Sequence, residues 1–198
     1  MTNNTQQSQV VGILLSAGFS RRFGQQDKLL HPLDSGLSVA ETAGHALIKA
    51  LPNAVAVVRQ ENTKLQDALI AQGFRVTQCA ADATEMADSL KLGVQAAQSA
   101  FPNATGFVIA LADMPFIRPD TISKVADQLQ SAAIVQPTVK GQRGHPVGFA
   151  SRYAQALLAV SGDQGAREVL RAHQHEVFLL NCDDQGIVQD IDTPADLP

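Results

Sequence analysis

An α/β architecture, with a mainly parallel sheet and helices on both faces, is what this 198-residue sequence predicts. Three observations carry that reading. Val10 to Leu15 is an unbroken apolar run that ends abruptly in Ser16-Ala17-Gly18, the mark of a strand buried on both faces. Phe107 to Leu111 repeats the pattern and runs directly into Ala112-Asp113-Met114-Pro115. Between and after these runs, strand-length β-branched segments alternate with helix-length amphipathic ones, which implies βαβ units.

The elements follow in order. After the first strand comes a cation-rich loop holding Arg21, Arg22 and Lys28. Ser38-Val39-Ala40-Glu41 is a capping-box pattern, and its helix should run to about Leu51, before Pro52. Ala54 to Val58 reads as a strand, Asn62 as the cap of a helix ended by Gly73, and Phe74 to Thr77 as a short strand. Glu85 to Ala97 is helical, because Leu90, Val94 and Ala97 share one face. Pro119 opens a helix through about Gln130, and Ala132 to Val135 is a further strand. Gly141 to Gly148 reads as a turn-rich loop, Ser151 to Val160 and Ala166 to His173 as helices, and Val177 to Leu180 as a strand. Ile187 to Asp192 is expected to be extended, with Thr193 capping a helix start at Pro194.

Composition bounds the function. Hydrophobic residues make up 45% and charged residues 17% of the chain, which suits a globular protein with a substantial core. A net charge of −4 argues against a nucleic-acid binder, which usually carries a basic stripe. Cys79 and Cys182 match neither a zinc spacing nor a disulfide framework and read as reduced thiols. Residues 1–9 are polar and lack the basic and apolar regions of a signal peptide, so they are expected to be a disordered tail, with 10–198 as one domain. No apolar run approaches the roughly 20 residues of a membrane helix. A cytoplasmic protein without membrane or nucleic-acid partners is the expectation.

In open α/β sheets ligands bind beyond the carboxyl ends of strands, which puts the Ser16 to Lys28 loop and Asp113 in one crevice. Arg22 and Lys28 could hold phosphate oxygens there while Asp113 holds a divalent metal; equally, the three cations could be solvated loop charges. The P-loop pattern and the nucleophile elbow are absent, and no G-x-G-x-x-G follows a strand. His173 and His175, the close pair among five histidines, read as exposed polar residues, while His31 and His45 have no evident partner. Asp190 and Asp192 offer a second carboxylate, but they point to opposite sides of an extended segment, so only one can face the crevice.

Several blocks, in order, resemble the molybdenum cofactor nucleotidyltransferases, and among them the cytidylyltransferase branch. They are Leu15-Ser16-Ala17-Gly18-Phe19-Ser20-Arg21-Arg22-Phe23-Gly24 with Asp27-Lys28-Leu29-Leu30, Leu111 to Pro115, Gly144-His145-Pro146-Val147, Gly162-Asp163-Gln164-Gly165-Ala166-Arg167, and Asp190 to Leu197. The resemblance implies a Rossmann-like three-layer nucleotidyltransferase fold and transfer of CMP from CTP to molybdenum-bound molybdopterin, with release of pyrophosphate. It also implies a site: Leu15, Ser16, Ala17 and Gly18 hold the nucleotide, Ser89 contacts it, Arg22 and Lys28 meet the triphosphate, and Asp113 with Asp192 binds Mg2+ or Mn2+. Arg22, Lys28 and Asp113 would be the catalytic residues.

By the same resemblance His145 faces the pterin; otherwise it is an exposed residue of a turn shaped by Gly144 and Pro146. Two departures from the family pattern are Ser16, in place of alanine, and Glu85, in place of glycine. Ala17-Gly18 favours cytosine, since guanylyl-transferring relatives resemble a Gly-Gly pair at this point. Competing readings are a transferase using GTP or a sugar-phosphate-type acceptor, and a noncatalytic carrier of the cofactor to a molybdenum hydroxylase, a transient partner.

Overall fold

The structure, a computed structural model, describes residues 9–18, 23, 27–80, 82, 83 and 85–197. Strand β1 (Val10–Ser16) lies inside an eight-stranded sheet and pairs in parallel with β2 (Ala54–Arg59) on one side and β4 (Gly106–Leu111) on the other; β3 (Arg75–Cys79) extends the sheet beyond β2. Beyond β4 the direction changes. Strand β7 (Val147–Ala150) runs antiparallel to β4 and to β5 (Ile134–Val139), while β8 (Val177–Asn181) is parallel to β5. The mixed α/β fold with a mainly parallel sheet is therefore the predicted one.

Two apolar layers sandwich the sheet, as expected for strands buried on both faces. Helices α1 (Val39–Ala50), α2 (Thr63–Ala71) and α4 (Pro119–Gln128) cover one face through Leu47, Leu65, Leu69 and Ile122, which meet Leu14, Ala56 and Val108. Helices α3 (Met86–Ala100), α5 (Ala154–Ala159) and α6 (Arg167–Ala172) cover the other, where Leu90, Val94, Leu157 and Val169 pack on Ile13, Ile109 and Phe149. Alternate residues of β1 thus serve opposite cores, which is why its run carries no polar position before Ser16.

Local signals behave as the chemistry requires. Ser38 and Glu41 form the reciprocal capping box of α1, and Asn62 Oδ1 accepts from Leu65 N to cap α2. Two expectations are corrected. The segment expected as a loop, 141–148, contains a hairpin strand, β6 (Gln142–Arg143), and the start of β7, because its turn residues bend the chain at only two points and leave Val147 and Phe149 free to pair with β4 and enter the core. The segment expected to be extended, 187–192, begins inside a short 3-10 turn, Gln185–Val188, whose amide Gly186 N donates to Asp184 Oδ1 at 3.0 Å. Among the described residues no helix is long and apolar enough to cross a membrane.

The topology explains where a site can form. Strands β1 and β4 deliver their carboxyl ends to one edge of the sheet, with Leu15 paired to Leu111. Because β7 is antiparallel to β4, its amino end lies at that same edge, and His145 just precedes it. The carboxyl ends of β3 and β8 lead into the start of α3 and into the 184–192 tail.

Candidate active site

Lys28 sits in a 3-10 turn, Lys28–Leu30, that the chain holds firmly. Asp27 caps the turn by accepting from Leu29 N at 3.0 Å, and Asn62 Nδ2 donates to the other Asp27 oxygen at 2.6 Å, so the cap of α2 also braces this turn. Leu29 is buried beneath it. From this base the Lys28 side chain, only 9% exposed, reaches Asp113 Oδ2 at 2.8 Å and Asp192 Oδ1 at 3.2 Å.

The two carboxylates come from opposite parts of the sequence. Asp113 follows β4, where Ala112 N donates to Leu15 O at 3.0 Å and locks the strand end to β1. Asp192 arrives on the tail: Ile191 N donates to Asp113 O at 2.8 Å, and the Ile191 side chain is buried with Phe23 and Val39. Asp196 Oδ2 then accepts from Asp192 N, Thr193 N and Thr193 Oγ1 and fixes the turn that follows. Asp190 is exposed. Burial alone would lower the Lys28 ammonium pKa, but Asp113 first and Asp192 next outweigh it, and the pKa stands above its ordinary value.

These three groups open into a cavity of about 580 Å³, whose lining includes Ala17, Gly18, Ser89 and Glu85. Two features suit an anionic ligand: the Lys28 ammonium and exposed backbone at Gly18, where an added Cβ would meet nothing within 4 Å. The carboxylates themselves suit a hard divalent ion such as Mg2+ or Mn2+. Among the described residues there is no group of three or more His, Cys, Asp or Glu that could hold a metal ion.

Residues 12–177 match the MobA-like NTP transferase domain. The chain belongs to that family. It is a nucleotidyltransferase, and its matched region ends before Asp192. The chain is 28% identical over 195 residues to the purine catabolism protein PucB of Bacillus subtilis, covering 94% of this chain and 93% of that one. It is likewise 28% identical over 194 residues to the nicotine blue oxidoreductase of Paenarthrobacter nicotinovorans, covering 93% and 92%. Among solved structures, Rv0371c from Mycobacterium tuberculosis is 25% identical with a TM-score of 0.80, covering 94% of this chain and 95% of that one. A structure of Rv0371c in complex with manganese has a TM-score of 0.75 at 22% identity, covering 94% and 95%.

Around this candidate site the other sequence-predicted residues fall into place unevenly. Leu15 lines the main cavity, but the Ser16 side chain points away, donating to Val57 O of the neighbouring strand at 2.8 Å. Ser89 Oγ donates to Met86 O at 3.1 Å within the first turn of α3. Arg22, with Arg21, lies outside the described residues.

His145 is half-buried and lines a second cavity of about 220 Å³, which shares Leu15, Met86, Leu111 and Asp163 with the first. Its backbone N donates to Ile187 O at 2.9 Å, and its Nδ1 is buried with no hydrogen-bond partner among the described residues. Burial pushes the imidazole down to about 4, although Asp113 pulls the other way. Gly144 is required by packing, since a Cβ there would sit 2.1 Å from the same Ile187 oxygen. His175 is exposed as expected, but His173 is half-buried, with its ring edge-on to Tyr153 at 5.0 Å. His31 also has a partner, the ring of Phe23 at 5.5 Å.

Sequence reasoning assigned no function to Asp163, Glu85 or Asp184. Asp163 faces both cavities, and its signal was the Gly-Asp-x-Gly-Ala-Arg block. Glu85, noted only as a departure, accepts from Gly162 N at 2.9 Å and so ties that block to the start of α3. Asp184 is a buried carboxylate under the tail, accepting from Arg118 N, Thr121 Oγ1 and Gly186 N. It lies in no motif, and only the folded contacts reveal it.

Proposed function

We propose that this nucleotidyltransferase moves CMP from CTP to molybdenum-bound molybdopterin. The observation that carries the reading is the convergence of Lys28, Asp113 and Asp192 at the carboxyl edge of β1 and β4, with the Ala17-Gly18 backbone on one side and the His145 cavity on the other. The larger cavity takes the nucleotide and the smaller takes the acceptor. Arg143, Gln136 and Arg167 line the smaller one together with His145, which suits a polar, phosphate-bearing acceptor.

In the reaction an oxygen of the acceptor's terminal phosphate forms a bond to the α-phosphorus of CTP. The bond from that phosphorus to the bridging oxygen breaks, and pyrophosphate leaves with the electron pair. The protein's part is positioning and charge neutralisation. Asp113 and Asp192 would hold Mg2+ or Mn2+, a view supported by the manganese complex of the Rv0371c relative; the ion supplies Lewis acidity toward phosphate oxygens. Lys28 and Arg22 neutralise the triphosphate, and Ala17 limits the room for the base, favouring cytosine over a purine. The product would pass to a molybdenum hydroxylase.

Pyrophosphate release measured across CTP, GTP, ATP and UTP, with and without molybdenum-bound molybdopterin, tests the proposal. Release with CTP that depends on the cofactor is the expected result. Preference for GTP, or turnover with a sugar phosphate in place of the pterin, would overturn the substrate assignment, and nucleotide binding without any turnover would favour a carrier.

A further inference from the structure

The geometry points to Lys28 as a place-holder for the metal: we propose that its ammonium occupies the position between Asp113 and Asp192 until a metal-bound nucleoside triphosphate arrives and draws it away. This rests on the reading that the cavity takes a nucleoside triphosphate together with a divalent ion. The ammonium lies within hydrogen-bond distance of both carboxylates, at 2.8 and 3.2 Å, so it occupies space beside the two groups that would hold an ion. A metal ion and the ammonium cannot share that space, because like charges at such separation repel strongly in a partly buried site.

The surroundings make the exchange workable. The Lys28 backbone is pinned by the Asp27 cap, the Asn62 brace and the buried Leu29, whereas its unbranched four-carbon stem ends in a compact point charge that faces the cavity. The head group can therefore swing while its root stays fixed. Asp163 and Glu85 line the same cavity, and a triphosphate would bring several anionic oxygens into it at once. A free metal ion must evict a buried ammonium and offers it nothing in return. A metal–triphosphate would supply the ion for the carboxylates and phosphate oxygens for the lysine, so each group keeps an opposite charge beside it. Among the described residues no group of three His, Cys, Asp or Glu could hold an ion, which works in the same direction, since a hard divalent ion takes several oxygen donors.

Mn2+ binding to the full-length protein, followed by the electron paramagnetic resonance signal of free Mn2+, tests the idea without turnover. The nucleotide-free wild type should bind Mn2+ weakly. Lys28→Met should bind it at least about tenfold more tightly, because the two carboxylates lose their resident cation. Lys28→Arg, which keeps the charge, should stay weak, and adding Asp113→Asn to Lys28→Met should abolish the gain. Circular dichroism melts establish folding of each variant, and Lys28→Gln takes the place of Lys28→Met if the latter unfolds. An unchanged or weaker Mn2+ affinity in the folded neutral variant would overturn the proposal, as would tight binding by Lys28→Arg.

Adding α,β-methylene-CTP separates this proposal from the reading beneath it. The analogue should strengthen Mn2+ binding far more in the wild type than in Lys28→Met. If it does nothing in the wild type while Lys28→Met still gains affinity, the place-holder stands and the nucleotide reading falls. If it acts on the wild type but Lys28→Met shows no gain, the place-holder falls and the nucleotide reading stands.

Discussion

Replacing Asp184 by alanine should cost this protein a large share of its stability, although the residue touches neither cavity. Its carboxylate is 3% exposed and satisfies three donors: Arg118 N at 2.9 Å, Thr121 Oγ1 at 2.7 Å and Gly186 N at 3.0 Å. A hydrogen bond to a charged acceptor contributes about 1.5–3 kcal/mol, and each stranded donor carries its own desolvation cost. Against the sum stands the relief of no longer burying a charge, so the net loss should be about 2–4 kcal/mol, a serious fraction of the roughly 5–15 kcal/mol that holds a domain folded. Urea unfolding followed by far-ultraviolet circular dichroism at neutral pH measures it. The effect should also reach the site, because the same tail presents Ile187 O to His145 and carries Asp192 to Lys28. Under conditions where the variant is fully folded, pyrophosphate release should still fall, by roughly tenfold or more, as the carboxylate shifts. A stability loss below about 1 kcal/mol, or wild-type turnover, would show that the tail is positioned by something other than Asp184.

Two further outcomes are expected. Asp113→Asn should abolish metal-dependent pyrophosphate release while leaving the circular dichroism spectrum intact; full activity would remove Asp113 from the metal site. For His145 the sign follows from its lowered pKa of about 4: between that value and about 6.5 the unfolded chain binds a proton that the folded one refuses, so stability is complete above about pH 6.5 and falls as the pH drops toward 4. Urea midpoints at pH 7 and pH 4.5 should therefore differ less in His145→Gln than in the wild type, with the wild type losing up to about 3 kcal/mol more. Equal losses in both proteins would refute the assignment.

The sheet's parallel half was legible in the sequence because its physical cause is local. A strand buried on both faces must be apolar throughout, and Val10 to Leu15 and Phe107 to Leu111 have no other economical reading. The caps of α1 and α2 were legible for the same reason, since Ser38, Glu41 and Asn62 bond within three residues of themselves. The antiparallel half was harder. Turn residues at Gly141 and Gly144 hid β6 and β7, whose strand character comes from partners on β4 and β5 rather than from their own few residues.

The sequence by itself determined the α/β class and the buried strands, because periodicity and capping are carried by neighbours along the chain, and its resemblance to a family pointed to Lys28, Asp113, His145 and Asp192. Only the tertiary structure decided what those residues do to one another. It joined Lys28 to Asp113 and Asp192, separated in sequence by 85 and 164 positions. It exposed Asp190 and turned the Ser16 hydroxyl away from the cavity toward Val57. It gave Glu85 and Asp184 their partners on Gly162 and on the start of α4. Each of these is a through-space contact whose energy depends on distance and burial, and neither quantity exists until the sheet has brought the ends of β1, β4, β7 and the tail to a common edge.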